Sequence, residues 1–264
     1  MVKKYLFLAV IIFAVSLFSG VSQVKAQAFD YELYQKFLDS VVMQKKKIEG
    51  FTLNVVDYTL INKGKNSFGS LYRKVLSMLE FFNPDTLKTK EDKIAFWINT
   101  YNIGAIKIII DHYPVDSIRS RKINWLKNPW EKAIIKIGGR EYSLSEIEHD
   151  ILLKNLNEPK AHFAIVCASL SCPDLSGKVY RSGTLKEQLK AQARAFLSNT
   201  KKGLEIDRKK GIVYFSQIFK FDGKTFPNGA KDASFLIVPF IGKDDGKYIA
   251  AGKYKIKKML NRRI

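Results

Sequence analysis

One segment restricts the fold of this chain more than any other: TKEDKIAFWINTYNIGAIKIIIDHYP, residues 89–114. Thr89 can cap a helix start, Glu91 and Asp92 suit the positive first turn, and Pro114 ends the run. From Ile94 to Ile110 nearly every face is apolar, so other elements must enclose this helix on most sides. Against that surface Asn99, Thr100 and Asn102 stand out. Asn99 and Asn102 are three residues apart and share a helix face. Buried amides need partners, so the pair either ties a neighbouring loop to the helix or binds a substrate.

The rest of the chain supplies the enclosure. Phe29, Leu33, Phe37 and Val41 recur every four residues and predict a helix over 29–49, with Lys45, Lys46 and Lys47 at its negative end before Gly50. Residues 51–62 are β-branched and aromatic and read as extended; residues 67–82 read as helix. Residues 133–144 predict a hairpin turning on Gly138-Gly139. Ser143 and Glu146 have capping-box spacing, which starts a helix through Asn155. His162 to Ala168 reads as a short buried strand, Thr184 to Leu197 as a capped helix, 203–216 as a second hairpin and 232–241 as a last helix. The pattern predicts an α+β fold in one domain over 27–264, with several helices packed on a largely antiparallel sheet with hairpins.

Residues 1–26 are expected to be a signal peptide. Lys3 and Lys4 precede a short apolar run, Tyr5 to Phe18, and small and polar residues lead to Ala26. The run is short for a membrane span, so no transmembrane segment is expected after cleavage, and the mature chain is expected in the periplasm or secreted. The full chain carries 45 basic against 25 acidic side chains, a formal charge of +20. The leader holds three lysines and no acid. The excess that remains is a solvated lysine surface or a footprint for an anionic cell-envelope polymer or lipid, and export argues against nucleic acid.

The chemistry-bearing residues gather in the second half. On a regular helix from Leu144, Glu148 falls on the same side as Leu144, Ile147, Ile151 and Leu152, while His149 faces away. A carboxylate on an apolar stripe must be paired or hydrogen-bonded, so Glu148 is either a structural anchor, with Asn99 or Asn102 as donor, or the residue that orients a histidine. On a regular strand His162 and Cys167 point to opposite faces, which leaves His149 as the candidate base for a Cys167 nucleophile and His162 as a core residue. His112 reads as a helix C-cap. Cys167 and Cys172, the only cysteines, flank Ala-Ser-Leu-Ser. They are a disulfide, one reactive thiol or two inert thiols. No pair of ligands has tight metal spacing on one element; His149, His162 and Cys167 would be the set if a metal were bound. Nothing in the sequence motivates a cofactor.

The motifs AFWINTYN, HYPV, GGREYSLSEIEHDIL, HFAIVCASLSCPDL and FSQIFK occur in an order and spacing that resemble the family called domain of unknown function 547, over roughly Asp57 to Ile241. The resemblance implies one mixed helix and sheet domain and no established reaction. Carried over by position, it marks Asn99, Asn102, Glu148, His149, His162, Cys167, Ser171, Cys172 and Pro173. The end of the chain, KKMLNRRI, departs from the tyrosine-aspartate-tryptophan stretch usual in that family. Two functions follow as expectations. One is an envelope hydrolase or acyl transferase with Cys167, His149 and Glu148 catalytic and Asn99, Asn102, His162 and Ser171 binding. The other is a non-catalytic domain that binds a small ligand or a polymer around a buried polar network.

Overall fold

The computed structural model describes residues 29–48, 50–115, 118–123, 128–169, 171–221, 226 and 228–259. The expected signal peptide and the terminal Leu260-Asn261 lie outside them.

Helix α1 (Tyr31–Val41) buries Tyr34, Phe37, Leu38 and Val41, one stripe at helical spacing, and is capped by Asp30, whose carboxylate accepts from Leu33 N at 2.9 Å. It ends earlier than its apolar spacing suggests. Val42–Ile48 forms strand β1, and the three lysines are strand residues rather than a helix terminus. The reason is tertiary. Strand β2 (Phe51–Val56) folds back on β1 in antiparallel register, Ile48 opposite Phe51, and hydrogen-bonds the backbone that a longer helix would need. Helix α2 (Tyr58–Gly64) follows where an extended run was expected, with Asp57 accepting from Leu60 N. Helix α3 (Leu71–Phe81) buries Tyr72, Val75, Met78 and Leu79.

Helix α4 (Lys90–Asp111) is the central element. Thr89 and Asp92 close a complete capping box, and residues on all sides of the helix are buried. Each enclosed isoleucine contributes on the order of 2 kcal/mol of apolar burial. His112 caps the far end, its Nδ1 2.9 Å from Ile108 O. Strands β3 (Ala133–Ile137) and β4 (Arg140–Ser143) form the predicted hairpin, with Gly138 and Gly139 both at positive φ. Helix α4 passes close beneath it: a side chain on Gly104 would meet Leu144 at 2.9 Å.

Helix α5 (Leu185–Leu197) leads to β5 (Leu204–Asp207) and β6 (Ile212–Phe215), the second predicted hairpin. Short α6 (Ile218–Phe221), α7 (Ala230–Ile237) and α8 (Lys243–Ala251) follow. Strand β7 (Lys255–Lys258), which the sequence reading missed, adds parallel to β6. The fold is thus α+β, with largely antiparallel pairing divided, among the described residues, into three small sheets. A large core surrounds α4, and a second joins Phe163, Phe196, Phe215, Phe219 and Ile249.

Burial raises the phenol pKa of Tyr34, Tyr72, Tyr101 and Tyr180 well above the ordinary value near 10, and that of Tyr58 to about 12. Below pH ~10 these groups are protonated in folded and unfolded chains alike. Above it the unfolded chain releases protons that the folded chain keeps, so stability falls as pH rises. Alkaline titration is expected to show their phenolate absorbance arriving in one steep step together with loss of circular dichroism. Graded ionisation near pH ~10 in a chain that stays folded would contradict this burial.

Candidate functional site

Where the two cores adjoin, a cleft of ≈ 340 Å³ opens to solvent. Its walls come from Tyr101 on α4, Arg119 and Trp130, Glu148 and His149, and the stretch from His162 to Pro173.

Two of these elements differ from the sequence expectation, and both differences build the site. The helix after β4 is a π-helix, Glu146–Asn155, with Leu156 N bonded to Ile151 O at 2.9 Å. Ser143 still caps it, accepting from Glu146 N. A π-turn is wider than an α-turn, so successive side chains diverge by a smaller angle. Glu148 and His149 therefore both reach the cleft, where regular helical spacing had placed them on different faces, while Ile147 and Leu152, five apart, stay fully buried.

The second difference is at His162. The segment is no strand: Pro159–Phe163 is a 3-10 helix, and irregular backbone follows. The cause lies on α4. The Asn102 side chain donates to Ala164 O at 3.0 Å and accepts from Val166 N at 3.1 Å. One buried amide takes the place of a partner strand for these two groups, while Ala164 N and Ile165 N donate to Ala161 O. Strand alternation thus never applies, and His162 and Cys167 line the same cleft. Asn99 makes the same double bond one turn earlier, donating to Tyr180 O at 2.8 Å and accepting from Tyr180 N at 3.0 Å. Both asparagines tie loops to the helix, and neither lines the cleft.

Glu148 is the electrostatic centre. Its Oε1 lies 3.6 Å from His162 Nδ1, and its Oε2 accepts from the Tyr101 hydroxyl at 3.2 Å. Burial first, then the facing Glu148 carboxylate, hold the Tyr101 phenol well above its usual pKa, so it remains a donor. His162 is 5% exposed and packs its ring against Phe226 at 5.1 Å. The anchor expected from Asn99 or Asn102 is supplied by Tyr101, and His162 lies beside the acid. Trp130, also in the cleft lining, carries the Arg119 guanidinium over its ring at 5.1 Å. Tyr101, Trp130 and Arg119 escaped the sequence reading. Tyr101 is hidden in an apolar helix, and nothing local distinguishes the other two.

Cys167 and Cys172 form a disulfide with Cα atoms 6.1 Å apart. Ser169 O accepts from Cys172 N inside the ring, and Ser171 Oγ lies 3.1 Å from Ser169 Oγ. In this state Cys167 bears no thiol, so it can neither attack a carbonyl nor ligate a metal. Among the described residues no group of three or more His, Cys, Asp or Glu side chains is placed to hold a metal ion. The loop beyond Pro173 is pinned in turn. Buried Lys202 donates to Asp174 Oδ1 at 2.6 Å, and Gln192 Nε2 to Asp174 O at 2.5 Å.

A family model described as a protein of unknown function, DUF547, matches residues 84–197. The match covers less than half of the chain, which is similar to that family over this stretch. It is narrower than the span from Asp57 to Ile241 that the motifs suggest, yet it contains Asn99, Asn102, the Glu148–His162 pair and both cysteines. Neither the curated proteins nor the solved structures yield a match. The matched stretch thus supplies most of the cleft, and Ile218 adds to its lining from the following segment. No described helix is long and apolar enough to cross a membrane.

Proposed function

We propose that the cleft is the active site of a hydrolase or acyl transferase acting on cell-envelope substrates, with Cys167 in its thiol form as nucleophile. One observation carries this reading: the Glu148–His162 pair and Cys167 line the same small cleft. A carboxylate beside an imidazole orients the ring for its part as base toward a thiol. The Cys167 thiolate would attack the carbonyl carbon to give a thioester, and the imidazolium would protonate the leaving group. Water or an acceptor hydroxyl or amine would then release the acyl group. His162 takes the base role assigned to His149 from the sequence, because it is the imidazole that Glu148 faces. His149 remains within the cleft as a second proton carrier.

The disulfide favours a second reading, a non-catalytic domain in which the ring only shapes a binding cleft and the basic surface meets an anionic envelope component. Incubation of the reduced full chain with p-nitrophenyl acetate separates the two. The enzyme reading expects an acetyl group on Cys167, located by mass spectrometry, and turnover that persists in Cys172→Ala and disappears in Cys167→Ala. Undiminished turnover by Cys167→Ala, or no acetylation of the reduced chain, would leave the binding reading. Export, and with it a periplasmic or secreted site of action, belongs to the same proposal and rests on residues 1–26.

A further inference from the structure

The Cys167–Cys172 disulfide is a weak staple in an already fastened loop. The ring is short, with a sequence separation of 5, so it removes little freedom from the unfolded chain. Both of its flanks are held by other means. Asn102 fixes Val166 on one side, and Lys202 and Gln192 fix Asp174 on the other. Within the ring Ala168 sits at φ 49, a left-handed conformation costly for a residue with a side chain. The bond also lines a cleft shared with two imidazoles, the side chains best able to move protons near neutral pH. Both cysteines line the cleft, but they are unequally exposed: Cys172 is buried at 9%, whereas Cys167 is half-buried and the more accessible of the two.

From this we infer that the disulfide is a thiol-exchange site: a small thiol enters the cleft and attacks Cys167 Sγ. The incoming thiolate forms a new sulfur–sulfur bond to Cys167. The Cys167–Cys172 bond breaks, and its electron pair goes to Cys172 Sγ, which takes a proton from an imidazolium or water. A second thiol attacks the outer sulfur of the mixed disulfide, frees Cys167 as a thiolate and leaves as a small disulfide. Two thiols are oxidised and one protein disulfide is reduced, with no other oxidant. Because the flanks stay pinned, the opened cysteines remain close and the reverse reaction is equally available. The inference stands whether or not acyl transfer occurs; if it does, exchange is the step that exposes its nucleophile.

The test uses the full chain with L-cysteine and glutathione as probes and requires no acyl donor. Acid-quenched wild type is expected to carry the probe on Cys167, with a rate at least about tenfold above that of the oxidised free peptide of residues 162–175. Cys172→Ser treated with cystine should trap the adduct on Cys167, whereas Cys167→Ser should leave Cys172 unlabelled in the folded chain. Reduction should lower Tm by no more than about 3 °C. Exchange no faster than in the peptide, or adducts divided equally between the cysteines, would overturn the proposal. If a serine variant fails to fold, the comparison of wild type with peptide still decides.

Discussion

Asn102→Leu is expected to destabilise the chain by about 2–4 kcal/mol, a fall in Tm of roughly 5–15 °C by thermal unfolding. The substitution keeps the branched shape and heavy-atom count of the amide, with bulkier methyls at its tips, and suits a helix. What it removes is the partner of two buried backbone groups, Ala164 O and Val166 N. Each is left in an apolar interior with no strand to replace the amide, and an orphaned buried group costs about 1–3 kcal/mol. Thr100→Val on the same turn is the control. Thr100 is fully buried and its hydroxyl finds no hydrogen-bond partner among the described residues. Its removal is expected to change stability by less than about 1 kcal/mol or to raise it. Equal losses for Asn102→Leu and Thr100→Val would mean that packing, not the amide clamp, holds this loop.

The second large effect is kinetic and rests on the acyl-transfer reading. Glu148→Gln is expected to lower turnover of p-nitrophenyl acetate by the reduced chain by roughly 10²–10⁴-fold. Gln keeps an oxygen to accept from Tyr101 but loses the charge that faces His162. His162→Gln is expected to lose a similar factor, and the double variant little more, because a base and the group that supports it act as one unit. Multiplicative losses in the double variant would show the two residues working independently. A deficit in His149→Gln as large as that in His162→Gln would return the base role to His149. Thermal unfolding of each variant separates loss of chemistry from loss of fold.

Much was legible in the amino acids themselves. The ends of α4, its enclosure and the hairpin at Gly138-Gly139 follow from caps, glycines and apolar spacing, which are local signals. The anomaly of Asn99 and Asn102 was equally visible, and the reading that they tie loops to the helix holds. Where a distant segment decides the local backbone, the sequence was misleading. Residues 42–48 pattern as helix until β2 folds back on them. His162–Ala168 has strand composition, yet the Asn102 amide satisfies its backbone and no strand forms. The Glu148 helix has α spacing on paper and widens to a π-turn.

The sequence alone determined which residues had to be reconciled: an acid on a greasy stripe, amides inside an apolar helix, and two thiols beside a proline. Burying a polar group without a partner is costly, so each of them demanded one. Which partner each obtained was decided by tertiary structure, since Tyr101, His162, Ala164, Val166 and Tyr180 lie between 14 and 81 residues from their partners along the chain. Chain composition limits the donors and acceptors available; only the folded path brings a particular pair within hydrogen-bonding reach.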